Sequence, residues 1–136
     1  MLNGEEKISY QSGVLPIAGD MIVLVTGRRS GKWIIPKGYV EKGMSPAESA
    51  AKEAWEEAGV TGKVLEKDIG TYRFSRPSGV FAVQVFPLEV LEIRDEWQEM
   101  HVRRRTVVTP LEAVRLISHE GLRRLVAEYF ALRLEY

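Results

Sequence analysis

The chain has 136 residues, of which 45% are hydrophobic, and its 19 acidic and 19 basic residues give a formal net charge of zero. This composition predicts one domain over residues 1–136, and the balanced charge argues against a general nucleic-acid-binding surface. The chain has no cysteine, which excludes disulfides and thiol nucleophiles; it also shows no signal-peptide profile and no apolar run of about 20 residues, so we expect a cytoplasmic protein without a membrane partner.

The first predicted elements are two strands, at residues 11–18 and 21–26, that flank a Gly-Asp turn. A loop rich in glycine and arginine follows at residues 27–31. The Trp-Ile-Ile sequence at residues 33–35 predicts a short buried strand, after which we expect Pro-Lys-Gly at residues 36–38 to turn the chain.

A helix is predicted to begin near Pro46 and to end at Gly59. Ser45 is a typical N-cap, proline is favoured at the first helical position, and Glu48 completes a capping box. Glycine commonly follows the last residue of a helix. Apolar residues at helical spacing predict the face that packs on a sheet, and they are Ala47, Ala50, Ala51, Ala54, Trp55 and Ala58.

The rest of the chain predicts strands followed by helices. Residues 63–74 and 80–92 have strand composition and are joined by a turn-forming stretch, which predicts a hairpin. Residues 102–108 predict another strand, residues 110–117 a short helix, and residues 119–134 a terminal amphipathic helix. Helices separated by a mixed set of strands predict a sheet that is covered on both faces.

The predicted first helix carries three glutamates. Glu56 and Glu57 are adjacent, and they follow Glu53 by three and four residues. Residues at this spacing are neighbours on a helix surface, so their negative charges repel one another. A hard cation such as Mg²⁺ would remove the repulsion, because it prefers oxygen ligands and keeps positions open for water and phosphate. The alternative is that these glutamates form a solvated helix face.

Residues 38–60 resemble the signature of the Nudix hydrolases, G-x5-E-x7-R-E-U-x-E-E-x-G-U, in which U is a bulky apolar residue. The resemblance implies an α/β fold, the Nudix α/β/α sandwich, in which a mixed sheet has helices on both faces. It also implies that residues 1–136 form a single Nudix domain. The matching positions are Gly38, Glu53, Glu56, Glu57, Gly59 and Val60.

Three positions depart from this signature. Met44 stands at the first glutamate, Lys52 at the arginine, and Ala54 at a bulky apolar position. In the family the first glutamate and the arginine commonly form a supporting pair behind the metal site. Because both have changed here, we expect a site that works without this pair. If the support is missing, Met44→Glu together with Lys52→Arg should improve Mg²⁺ affinity.

The resemblance implies hydrolysis of a phosphoanhydride bond in a small molecule, with Mg²⁺ as cofactor and Mn²⁺ as an alternative. The implied metal ligands are the carbonyl of Gly38 and the side chains of Glu53, Glu56 and Glu57. Glu56 and Glu57 are also catalytic candidates, because the general base of this family lies either in the signature helix or on a distal loop. Glu99 is the distal catalytic candidate, and Asp95 and Glu96 are its acidic neighbours.

Basic and aromatic residues near the signature predict the substrate-binding side. Lys37 lies in the Pro-Lys-Gly sequence beside the metal loop, and Tyr39 follows directly. Arg76 borders the predicted hairpin turn. Arg103 begins a run of three arginines in a predicted strand, where side chains alternate between faces, so the three cannot all serve one pocket.

Three longer stretches, KWIIPKG, EEAGVTGKV and VRRRTVVTPLEAV, resemble the branch of the family that hydrolyses diphosphoinositol polyphosphates and diadenosine polyphosphates. That branch carries basic residues near its first strand, where this chain has Gln11, Ser12 and Leu15. We therefore favour a dinucleoside polyphosphate over a diphosphoinositol polyphosphate as substrate. A catalytically weak or inactive Nudix module that binds a nucleotide or a protein is the alternative. We expect no nucleic-acid partner, and the apolar C-terminal residues are compatible with a homodimer.

Overall fold

A mixed eight-stranded sheet carries the fold in the computed structural model, which describes residues 7–132. The strands are β1 (Ile8–Ala18), β2 (Met21–Thr26), β3 (Trp33–Ile34), β4 (Lys37–Tyr39), β5 (Val60–Val64), β6 (Gly70–Arg76), β7 (Gly79–Ile93) and β8 (Arg105–Val108). The helices are α1 (Pro46–Ala58), α2 (Pro110–Leu116) and α3 (Glu120–Tyr129).

The centre of the sheet is the parallel pair β1 and β7, with Ile8 opposite Val80 and Ile17 opposite Glu89. β5 and β6 pair antiparallel with successive parts of β7. β2 pairs with β1 only near their shared turn, and farther along β1 pairs with β4 while β2 pairs with β3. β1 and β2 therefore separate, and β4 lies beside β1 where they part.

The alternation of side chains along β1 divides the core between the two faces of the sheet. Leu15 packs in one cluster with Val114 of α2 and Leu122 of α3. Its neighbour Val14 packs in a second cluster with the alanines of α1, including Ala54. All five side chains are buried. The predicted mixed sheet with helices on both faces is confirmed.

Helix α1 has the predicted ends. The Ser45 hydroxyl accepts from the Glu48 N–H at 3.1 Å, and the Glu48 carboxylate accepts from the Ser45 N–H at 2.8 Å. Gly59 ends the helix in the left-handed region at φ 66°, which costs glycine no steric strain. The prediction that Trp55 belongs to the packing face is wrong, because its side chain is 39% exposed and lies under the Arg94 guanidinium.

The prediction of one strand over residues 63–74 is wrong. The chain forms β5 and β6, each paired with a different part of β7, and leaves the ladder between them. The intervening segment contains Glu66, Lys67 and Asp68, whose charges favour solvent over a buried ladder. The predicted hairpin of β6 with β7 is confirmed, with Arg76 opposite Gly79.

Three other boundaries differ from the predictions. The expected turn at 36–38 is partly strand β4, because Gly38 pairs with Ser12 across the sheet. The expected strand at 102–108 begins only at Arg105, because the N–H groups of residues 102 and 103 donate to the Glu99 carbonyl and form a turn. The terminal helix ends at Tyr129, and the last two residues of the predicted span lie outside the described part of the chain.

Candidate active site

The site forms where α1, β4 and the segment before β8 meet, and Glu57 lies at its centre. Glu57 is only 4% exposed although its side chain is acidic. The Lys37 backbone N–H donates to its carboxylate at 3.2 Å, and the Arg103 guanidinium lies 3.6 Å from the same oxygen. α1, β4 and a distal segment of the chain therefore hold one buried carboxylate.

Gly38 gives the neighbouring carboxylate its position. A Cβ atom on Gly38 would lie 2.5 Å from the Glu53 carboxyl carbon, which is far closer than real contacts allow. The absence of a side chain thus lets Glu53 rest against β4. Opposite Gly38 on β1, the buried Ser12 hydroxyl has no hydrogen-bond partner within residues 7–132.

Glu53 and Glu57 lie one helical turn apart on α1, and the pKa of each carboxyl group is raised. Burial raises the pKa of Glu57 to about 8; Arg103 opposes the rise and the charge of Glu53 adds to it. Burial likewise raises the pKa of Glu53. Burial is the largest cause of both shifts, so a positive charge placed between the two carboxylates would lower both pKa values.

The donors at this site fit a hard divalent cation. They are carboxylate oxygens of α1 and the backbone of Gly38, with no nitrogen or sulfur ligand in the set, as Mg²⁺ and Mn²⁺ prefer. In the conformation described for residues 7–132, no three acidic or histidine side chains converge on one point. Glu53 lies against Gly38 and Glu57 lies against Arg103, while the Glu56 carboxylate lies 3.1 Å from the Lys52 ammonium group.

Lys52 does have an acidic partner outside the signature position. Its ammonium group lies 2.8 Å from the Glu41 carboxylate as well as 3.1 Å from Glu56. Met44 instead accepts a weak hydrogen bond from the Ser49 hydroxyl through its sulfur, at 3.7 Å. Glu41 thus gives Lys52 a carboxylate partner three residues before the signature position. The expectation that the site works without the outer pair of the signature stays a prediction.

The distal acidic segment approaches the signature helix through Glu99. The Glu99 N–H donates to the Glu56 carbonyl at 3.1 Å, and its carboxylate accepts from Arg103 Nε at 2.9 Å. Asp95 and Glu96 are exposed. Of the three distal acidic candidates, the structure brings Glu99 to the site.

The predicted substrate residues line one cavity of about 600 Å³ together with Glu57. Sequence reasoning missed Arg28 and Arg29, two exposed arginines of the β2–β3 loop that line the same cavity. The signal was present as adjacent arginines in a glycine-bounded loop, but its position depends on strand pairing. The predicted residues in this lining are Lys37, Tyr39, Arg76 and Arg103.

Lys37 is held by two contacts on the face of the sheet opposite α1. Its ammonium group donates to the Gln11 side-chain carbonyl at 3.2 Å and lies 4.7 Å from the centre of the Phe74 ring. Burial lowers the pKa of Lys37, and the charge of Glu57 opposes that shift. Gln11 thus supports the lysine from β1.

A second cavity, of about 210 Å³, adjoins the first and shares Lys37 and Arg76 with it. Its aromatic residues are Tyr72, Phe74 and His119, with 5.3 Å between the centres of the Tyr72 and His119 rings. Sequence reasoning missed this pocket, because its residues come from β6 and from the start of α3. Its lining also includes Lys32, Lys37 and Arg76, so the cavity combines aromatic and cationic side chains.

The run of three arginines is divided as expected, although only Arg105 lies in the strand. Arg104 lies over the Trp33 ring at 5.4 Å. Arg105 lies over the Trp97 ring at 4.0 Å and donates to the Ala58 carbonyl at the end of α1. Arg103 alone reaches the site carboxylates.

Relatives with known names share this sequence pattern. The chain is 32% identical over 111 residues to Nudix hydrolase 21, chloroplastic, from Arabidopsis thaliana, an alignment that covers 79% of this chain and 56% of that protein. It is 37% identical over 81 residues to diphosphoinositol polyphosphate phosphohydrolase 2 from Rattus norvegicus, covering 59% of this chain and 44% of that protein. The chain thus spans about half the length of these relatives. The cytoplasmic location predicted from the sequence stays a prediction.

The fold also matches a solved structure. The crystal structure of C. elegans Ap4A hydrolase has a TM-score of 0.74 at 18% identity, over 92% of this chain and 98% of that one. None of the helices within residues 7–132 is long and apolar enough to cross a membrane. A family model for the NUDIX domain matches residues 11–129. The chain therefore belongs to the Nudix hydrolase family.

Proposed function

We propose that this chain is a pyrophosphohydrolase that depends on Mg²⁺, or on Mn²⁺ in its place, and cleaves a phosphoanhydride bond in a dinucleoside polyphosphate or a related nucleotide. The observation that carries the proposal is the buried Glu57, which lines a cavity surrounded by cationic side chains. A phosphate chain in that cavity would have its charge offset by the arginines while it faces the carboxylates.

The metal would be held by Glu53, Glu56, Glu57 and the Gly38 carbonyl. When bound, the ion lowers the pKa of water and offsets charge on adjacent phosphates. A cation held there would offset the negative charge of Glu53 and Glu57, whose pKa values are raised without it, and would favour their ionised forms.

Side chains that line the cavity would orient the substrate, and a carboxylate of α1 would receive the proton. Lys37 and Arg76, which line both cavities, would direct the phosphate chain toward Glu57. Glu57 and Glu99 are both committed to contacts with Arg103. Glu56 contacts the more exposed Lys52 and is the carboxylate we assign to accept a proton from the attacking water.

The preference for a nucleotide over a diphosphoinositol rests on the second cavity. Tyr72 is buried, and Phe74 is stacked on Phe81 with Lys37 and Arg76 over its ring. A planar base would bind against the partly exposed Phe74 and His119 rings, and stacking of a base on an aromatic side chain contributes about 1–3 kcal/mol. An inositol ring carries phosphates around its whole edge and has no planar apolar face for this pocket. Gln11 also replaces a cation that a highly phosphorylated ring would use.

The test is turnover of a substrate panel by the purified protein with Mg²⁺ and, separately, with Mn²⁺. Diadenosine polyphosphates, nucleoside diphosphate derivatives and diphosphoinositol polyphosphates would be compared by kcat/KM. We expect metal-dependent turnover with dinucleoside polyphosphates preferred. A preference for diphosphoinositols would refute the substrate assignment, and tight nucleotide binding without turnover would support the inactive-module alternative.

A further inference from the structure

Arg103 makes contacts that differ from those of a free phosphate-binding arginine. Its Nε donates to Glu99 at 2.9 Å, one terminal nitrogen donates to the Thr26 carbonyl at 2.9 Å, and the other lies 3.6 Å from Glu57. The side chain is only 10% exposed. All three nitrogen atoms of the guanidinium therefore contact oxygen atoms of the protein.

Glu57 depends on this contact for its compensating charge. Within residues 7–132, the ion pair with Arg103 is the one found for Glu57. Lys52, at the signature arginine position, reaches Glu41 and Glu56 instead. A buried carboxylate without a cationic neighbour is strongly destabilised, so the position of Glu57 is coupled to that of Arg103.

The backbone around Arg103 is fixed from two directions. The Arg103 N–H donates to the Glu99 carbonyl at 3.1 Å, and the Glu99 N–H in turn donates to the Glu56 carbonyl on α1. On the other side, the N–H of the next residue donates to the Thr26 hydroxyl at 2.8 Å. The guanidinium is thus held between the end of β2 and the C-terminal turn of α1.

We propose that Arg103 is a positioning residue which, with Glu99, holds the Glu57 carboxylate ready for the metal, and that it is not a substrate contact. This inference rests on the proposed function. Arg103 supplies from a distal segment the cation that Lys52 does not bring to Glu57. A planar guanidinium can bridge three acceptors, whereas a lysine ammonium at the same place reaches fewer of them.

The experiment measures Mn²⁺ binding to the substrate-free protein by electron paramagnetic resonance, together with kcat and KM for a diadenosine polyphosphate. The variants are Arg103→Met, Arg103→Lys and, as a matched control, Arg104→Met, whose side chain lies over Trp33 in the wild type. Thermal unfolding identifies any variant that does not fold. If Arg103→Met fails to fold, Arg103→Lys carries the test.

We expect Arg103→Met to weaken Mn²⁺ binding by about 10–100-fold and to lower kcat while KM changes by less than about threefold. Arg103→Lys should show a smaller loss in both quantities, and Arg104→Met should match the wild type. Wild-type Mn²⁺ affinity with a raised KM in Arg103→Met would overturn the inference and make Arg103 a substrate contact. A wild-type protein that neither binds Mn²⁺ nor turns over substrate would instead overturn the proposed function.

Discussion

Gly38→Ala should change the geometry of the site while leaving the stability of the fold nearly unchanged. The new Cβ would lie 2.5 Å from the Glu53 carboxyl carbon, so that carboxylate must move. The clashing atoms are the end of a flexible side chain, and Gly38 is not among the glycines with positive φ, so alanine fits the backbone. We expect the melting temperature to change little.

Activity should respond much more strongly than stability. To reach an ordinary contact of about 3.5 Å, the Glu53 carboxylate must shift by roughly 1 Å, and a misplacement of about 1 Å can cost about 100-fold in rate. That factor corresponds to roughly 2.7 kcal/mol of transition-state stabilisation. Mg²⁺ affinity should fall together with kcat/KM.

The assay compares kcat/KM, Mg²⁺ affinity and melting temperature for Gly38→Ala, Glu53→Asp and the double variant. Glu53→Asp withdraws the carboxylate by about 1.5 Å and makes room for the new Cβ. The free-energy loss in the double variant should therefore be smaller than the sum of the losses in the two single variants. Full activity in Gly38→Ala would refute the claim that the close approach of Glu53 to Gly38 sets the carboxylate position needed for activity. Additive losses in the double variant would do the same.

Three further predictions test the charges and the pockets. Because the pKa of Glu57 is raised in the folded state, its contribution to stability is present below about pH 4.5 and is lost as pH rises through about 8. The melting temperature of the metal-free wild type should therefore fall across this pH window relative to that of Glu57→Gln. An equal slope of melting temperature against pH in both proteins would contradict this prediction. Met44→Glu with Lys52→Arg should not improve Mg²⁺ affinity, because Lys52 already pairs with Glu41, and a clear gain in a titration would show that the pair gives no support. Phe74→Leu should lower kcat/KM for dinucleoside polyphosphates by about tenfold and spare inorganic pyrophosphate, as measured by phosphate release, whereas equal losses would remove the base-binding role of the second cavity.

Local signals in the sequence were sufficient to predict the signature helix. Ser45, Pro46 and Gly59 specify the helix ends by short-range hydrogen bonds and backbone preferences, and these act the same way in any fold. The strand limits were less accurate where pairing partners decide them. β4 exists because residues near Gly38 meet β1, which no local pattern around Gly38 reveals.

The candidate site shows the same division. Glu53 and Glu57 are brought together by helical spacing, and their adjacency follows from residue numbers alone. Glu41 lies 11 residues before Lys52, its partner, and Arg103 comes from the segment before β8. The roles of both residues therefore depend on tertiary packing. The aromatic pocket around Tyr72 depends in addition on where α3 begins.

Initial rates of diadenosine polyphosphate hydrolysis, measured against Mg²⁺ concentration, test the central claim most directly. The proteins are the wild type, Glu57→Gln and Glu128→Gln, in which Glu128 is an exposed glutamate of α3 far along the chain from the signature. We expect the wild type and Glu128→Gln to show the same saturable dependence on Mg²⁺, and Glu57→Gln to lose at least about 100-fold in kcat/KM. Turnover that is independent of Mg²⁺, or unchanged in Glu57→Gln, would contradict the account.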